Sequence, residues 1–166
     1  MPEQNPPQPR PFTTFNFLVE LTLEGQSKPL CDAAFAECSG LEVSMEPKTF
    51  REGGNNGGQI HLVGPVTNGQ LSLKRGMTDS FHLWTWFDDV LRIGQHGLRA
   101  SGEVIMLSSA RGEDGTETVR AQFQLTRCLP VKIKAPALNA KDGSIAIEEM
   151  QIAYERLELL LPEGSA

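Results

Sequence analysis

Phe50-Arg51-Glu52-Gly53-Gly54-Asn55-Asn56-Gly57-Gly58 decides how this chain is read. Apolar residues alternate on both sides of it, so the stretch joins two strands. Glycine and asparagine tolerate positive φ, so the segment can bend sharply or project from a sheet as an extended arm. It holds no nucleophile, no metal-ligand cluster and no placed base. A long polar loop of this kind suits contact with another protein better than catalysis.

Working outward from the loop, the pattern is strand-rich. Leu41, Val43 and Met45 lead towards Phe50 in a run that begins near Phe35, and Pro47 predicts an edge or a bulge because proline lacks a ladder donor. A short strand is expected over residues 60–63, and Leu71 and Leu73 mark the next. Earlier, Phe15, Phe17, Val19, Leu21 and Leu23 alternate with Asn16, Glu20 and Thr22 as a half-buried strand, with Leu18 on the outer face. Later, residues 103–107, 119–125 and 131–133 read as strands, with a hairpin turn at 111–115. The run 144–161 reads as one long strand whose alternation slips twice, at 147 to 150 and at 152 to 157. Each slip implies a bulge or a strong bend, since a one-residue shift would turn a buried face outward.

One helix is expected. Leu83, Trp84, Trp86, Phe87, Val90, Leu91 and Ile93 fall on one half of its wheel, opposite Thr85, Asp88, Asp89 and Arg92. Leu83, Trp84, Trp86 and Phe87 are its expected core residues. Thr78, Asp79 or Ser80 is expected to cap it, and Gly94 or Gly97 to end it. Residues 1–14, with Pro2, Pro6, Pro7, Pro9 and Pro11, form a flexible lead-in, and residues 15–162 form the β domain. The fold class is mainly β: two antiparallel sheets in a sandwich or barrel, with one flanking helix.

The chain has 166 residues and a net charge of −6. That length suits one domain, able to bury roughly 70% of its unfolded surface. Acidic and basic residues are interspersed, which excludes a clustered nucleic-acid surface. No apolar run reaches the length of a membrane span. Cys31, Cys38 and Cys128 are odd in number and lack Cys-x-x-Cys spacing, so free thiols are expected rather than disulfides. His61, His82 and His96 lack metal-ligand spacing, no Gly-x-Ser-x-Gly elbow surrounds Ser39 or Ser80, and the glycine loop lacks the Gly-Lys-Ser/Thr ending of a phosphate cradle. The carboxylates of Asp88-Asp89 and Glu148-Glu149 point apart, so neither pair makes an acid–base couple. No catalytic, cofactor or metal site is expected. Lys74-Arg75 reads either as a solvated strand end or as cations placed for an acidic neighbour.

Seven pieces in order carry a resemblance: Phe15-Asn16-Phe17-Leu18-Val19-Glu20, Cys38-Ser39-Gly40-Leu41-Glu42-Val43, Phe50-Arg51-Glu52-Gly53-Gly54-Asn55-Asn56, Leu73-Lys74-Arg75-Gly76-Met77-Thr78-Asp79-Ser80, Leu83-Trp84-Trp86, Leu129-Pro130-Val131-Lys132 with Pro136-Ala137-Leu138-Asn139-Ala140, and Ile145-Ala146-Ile147-Glu148-Glu149-Met150. Over residues 15–161 the chain resembles the tail tube proteins of contractile phages and related extracellular contractile injection systems. The resemblance implies six protomers per ring and rings stacked into a hollow tube inside a contractile sheath. It also implies edge strands joined between neighbours, baseplate, spike and cap proteins as further partners, and a cargo effector in the lumen. Assembly in the bacterial cytoplasm into a released or cell-anchored particle follows from it.

The region 46–58 matches the family's reaching loop. Glu46, Phe50, Arg51, Glu52, Asn55 and Asn56 become interface candidates, with Lys74, Arg75 and Asp79 as candidates for salt bridges between protomers. Residues 27–34 look like an insertion that decorates the outer surface, as does the proline-rich lead-in. Both leave open a tube initiator or terminal paralogue joining baseplate to tube. A monomeric β-sandwich binding module is the rival reading of the same residues.

Overall fold

The computed structural model describes residues 11–31, 34–54, 57–94, 98–111, 117–141 and 143–161. The lead-in up to residue 10, Asn55 and Asn56, His96, Gly97 and the turn at 112–115 lie outside the described residues.

Alternation sets the strands. In β1 (Phe17–Leu23), Val19, Leu21 and Leu23 are buried. In β8 (Gln70–Gly76), Leu71, Leu73 and Arg75 point inward, and in β11 (Ile147–Ala153) Glu148, Met150 and Ile152 do so. Successive side chains leave opposite faces of a strand, so each run presents one inner and one outer row. These strands join β2 (Pro29–Cys31), β3 (Glu37–Ser39), β9 (Ala100–Arg111) and β10 (Glu117–Lys134) in the antiparallel order β2-β1-β9-β10-β11-β8-β3. The last strand, β12 (Arg156–Leu160), lies beside β10.

The strand β10 makes this a two-sheet body. Its first half pairs with β9 on one side and β12 on the other, and its second half pairs with β11. Register shifts fall between Leu125 and Cys128 and between Pro130 and Lys132, and Arg127 holds a φ of 53°. Two separate strands were expected here; one bent strand of 18 residues takes their place. The final run bends at Tyr154-Glu155, within its second expected slip and beside the same corner, while the ladder with β8 runs through the first slip without a shift, and Glu155 N–H bonds the Thr126 carbonyl at 3.1 Å. A bend shared by two paired strands carries the chain from one sheet into the other without losing the ladder.

One core fills the space between the sheets. It joins Leu21, Val104 and Leu125 of one sheet to Leu71, Leu73, Met150 and Ile152 of the other. The insertion is part of this core: Pro29–Cys31 pairs with β1 and Cys31 is buried, because a strand added to an open edge satisfies its backbone groups. The outer-surface expectation therefore fails at Cys31, while Ser27, Lys28, Pro29 and Ala34 are exposed.

The helix α1 (His82–Ile93) closes the core with Leu83 and Trp86, and the Trp86 indole N–H donates to the Leu98 carbonyl at 2.7 Å. Trp84 and Phe87 are half-buried, while Leu91 and Ile93 are exposed. The apolar half-wheel is thus wider than the surface available to cover it. The cap also differs: Phe81 stands at the N-cap without a side-chain hydrogen bond, and Gly94 ends the helix.

Trp86→Ala is expected to destabilise the fold by about 3–5 kcal/mol through a buried cavity. Leu91→Ala on the exposed flank should change it by no more than about 0.5 kcal/mol. Urea unfolding of both variants checks this, and equal losses would contradict the burial of Trp86.

Candidate interaction site

Between β3 and β8 the chain leaves the body as a ribbon. The strand β4 (Val43–Met45) pairs with β7 (Val66–Asn68), and β5 (Lys48–Phe50) pairs with β6 (Ile60–Leu62). Glu46-Pro47 separates the two ladders on one side and residues 63–65 on the other. Proline cannot donate to the ladder, so the expected single strand from 41 to 50 is divided at Pro47. Gly64 allows the opposite side to come close, since a Cβ there would lie 1.7 Å from the Glu46 carbonyl oxygen.

The ribbon is apolar and uncovered. Val43, Met45, Phe50, Ile60, Leu62, Val63 and Val66 are all exposed, Phe50 at 54% and Val63 at 82%. Glu46, Arg51 and Glu52 are exposed beside them. A two-stranded ribbon has no interior of its own, and isolated apolar hairpins are marginal in water. Around the tip, Arg51, Glu52, Gly53, Gly54 and Gly57–Gln59 border an open hollow of about 500 Å³. Its described walls are glycine backbone and polar or charged side chains, with no large apolar side chain to hold a small ligand.

At the foot of the body, Lys74 and Arg75 diverge. Arg75 and Glu148 are cross-strand partners on β8 and β11, 2% and 3% exposed. Arg75 Nε donates to Glu148 Oε1 at 2.5 Å and Arg75 Nη2 to the Ser80 carbonyl at 2.8 Å. The other carboxylate oxygen, Oε2, accepts the Trp84 indole N–H at 2.8 Å, and the guanidinium lies 5.9 Å from the Phe35 ring centre. The cluster ties both strands to the start of α1. It corrects the expectation that Arg75 bridges protomers: its partner is inside the chain, and a buried charge is held only where it is paired.

Residues 13–158 match the family of the T4-like virus tail tube protein gp19. The chain belongs to that family. A chain of the cryo-EM structure of the anti-feeding prophage (AFP) baseplate, 6-fold symmetrised, is 27% identical, covering 92% of this chain and 97% of that one at a TM-score of 0.76. A chain of the AFP tube terminating cap is 17% identical, with 96% and 97% covered and a TM-score of 0.77. A chain of the sheath-tube complex of PVC, an extracellular contractile injection system, in its extended state is also 17% identical, with 92% and 93% covered and a TM-score of 0.73. The last two share the fold. A comparison with curated proteins gives no match.

On this tail tube protomer the remaining candidates are placed as follows. Lys74 lies on the outer face, its Nζ 3.0 Å from both carboxylate oxygens of Glu37; that hydrogen bond and charge raise its pKa. Asp79 is exposed in the turn before α1. Burial pushes the Cys38 thiol up to about 11 and Cys128 up to about 12, so both stay protonated near neutrality. Among the described residues, no three His, Cys, Asp or Glu side chains gather to hold a metal, and no helix is long and apolar enough to cross a membrane. Two residues that sequence reasoning missed are Glu148, dismissed with Glu149 as an uncoupled pair, and Tyr154, marked only by a slip in alternation.

Glu148→Ala strands the Arg75 charge and should destabilise the protomer by about 3–5 kcal/mol. Lys74→Ala removes a solvated pair and should leave the urea midpoint where it was. Comparable losses in both would contradict the assignment of the two cations to opposite faces.

Proposed function

We propose that six copies of this tail tube protein close into a ring, and that stacked rings form the hollow inner tube of a contractile injection system or phage tail. The observation that carries the reading is the apolar ribbon 43–68, whose side chains find no cover on their own chain. A second copy is the cover that every protomer of a homopolymer has at hand. Open sheet borders support the same conclusion. Among the described residues, no strand pairs with the far edge of β3, or with β10 opposite β11. Exposed edges are an association hazard unless closed, and a heterologous contact repeated around a ring closes them.

Between those borders, the outer row of β8 and β11 carries Ser72, Lys74, Glu149 and Gln151. This row, polar apart from Ile147 at its end, suits the wall of a water-filled channel for a cargo effector. Arg51, Glu52 and Glu46 on the ribbon and Asp79 are candidate contacts between copies, with Asn55 and Asn56 beside the tip in sequence. Each contact surface of such an obligate assembly should exceed about 2,000 Å². Sheath, baseplate, spike and cap proteins are the further partners. Assembly takes place in the bacterial cytoplasm, and the protein acts structurally, without catalysis.

A second reading makes the chain a tube initiator joining baseplate to tube. It draws on the 27% identity to a chain of a baseplate structure, against 17% for the cap and sheath-tube chains.

Replacing Phe50 and Leu62 together by serine should leave the melting temperature of the protomer unchanged and abolish rings and tubes in negative-stain micrographs. Deleting residues 53–58 should do the same. Loss of folding in either variant, or tubes of normal length, would contradict the role given to the ribbon.

A further inference from the structure

The foot of the ribbon is fastened to one corner of the body. Tyr154 is buried, its ring in the core beside Met150 and Ile152. Its hydroxyl accepts the Glu42 N–H at 3.1 Å and lies 2.9 Å from the carbonyl oxygens of both Gly40 and Glu42, which share its one proton. The returning strand is held by the next residue, since Asn68 Nδ2 donates to the Glu155 carbonyl at 2.8 Å. Glu155 is itself anchored, its carboxylate 3.0 Å from Arg127 Nε and 3.6 Å from Arg99. Both strands leaving the body are therefore fastened to the Tyr154-Glu155 break, the corner where β10 passes between sheets.

Close backbone contact narrows the exit further. Gly40 has a φ of +87°, and a Cβ there would meet the Gln70 carbonyl oxygen at 1.9 Å. A Cβ on Gly69 would meet the Glu42 side chain at 2.5 Å. Away from this point the ribbon's strands pair with each other alone. Its direction relative to the body is set where it is fastened, because a lever supported at one end takes its angle from the support.

We infer that Tyr154 is a positioning residue for assembly: its hydroxyl aims the ribbon, so that the apolar side chains meet the next copy at a fixed angle. The consequence for assembly rests on the tube reading; the fastening itself does not. A phenol with a buried ring and a polar tip suits the task, since the ring cannot move without opening the core. A hydroxyl bonded to backbone groups alone specifies the geometry without depending on a neighbouring side chain.

Tyr154→Phe keeps the ring and removes the hydroxyl's part of the fastening. Hydrogen exchange on the unassembled full-length protein should show amides of residues 42–45 and 66–68 exchanging about tenfold faster, the equivalent of one hydrogen bond. Amides of β8 and β11 should keep their wild-type rates. Tube length and yield should fall while the wild type assembles normally. Asn68→Ala loosens the second strand from the half-buried surface and should give the same local pattern, which decides the matter if Tyr154→Phe proves unstable. Ribbon amides that exchange at wild-type rates in both variants, or a uniform acceleration across ribbon and body, would overturn the positioning role. Failure of the wild type to assemble would instead overturn the tube reading and leave the exchange result standing.

Discussion

A two-stranded ribbon cannot bury its own side chains. From residue 43 to 68 this protein builds such a ribbon with apolar residues on both sides of each ladder, so the hydrophobic effect acts on it continually from outside the fold. The body also leaves Phe15, Leu91, Leu138 and Ile145 exposed, but unlike the ribbon it has an interior of its own. Its two sheets and helix share one core, and the bent strand β10 gives that core both walls. A fold complete at its centre and incomplete along one projection is suited to addition of further copies. Membership of the tail tube family agrees with that shape.

Electrostatics separates the two tasks. The pair Arg75–Glu148 is withdrawn from water and fastens β8, β11 and the helix start into one unit. One residue away on each strand, Lys74 and Glu149 stay on the outer face, where Lys74 meets Glu37. Desolvated pairs fix geometry strongly once both partners are present, whereas solvated pairs add little to stability and remain free to face a neighbour. The alternation of a strand thus divides rigidity and contact between the two faces of a single sheet. The same economy recurs at Tyr154, whose ring belongs to the core and whose hydroxyl belongs to the ribbon.

Much of this was legible in the sequence, and the failures have physical causes. Val19, Leu21 and Leu23, Leu71 and Leu73, and Met150 and Ile152 alternate cleanly because one face of each strand is buried. Gly53 to Gly58 announced the tip of a projection. Its stem was harder to read, since Val43 and Met45 alternate like a half-buried strand although nothing buries them. Arg75 looked available because its partner lies 73 positions away, and sequence carries no sign of that pairing. Thr78, Asp79 and Ser80 offered caps, yet the Thr78 hydroxyl accepts the Ser80 N–H and the helix starts beyond them at His82. Tyr154 left only a break in periodicity, because a hydroxyl that reaches across 112 positions to Glu42 acts through tertiary structure.

Cryo-electron microscopy of the assembled particle tests the central claim most directly. The reconstruction should show a hollow tube in which residues 43–68 of every protomer lie against a second copy, with Val63 and Phe50 withdrawn from solvent. A map in which the ribbon folds back on its own body, or projects into solvent while the sheet borders are sealed within one chain, would contradict it.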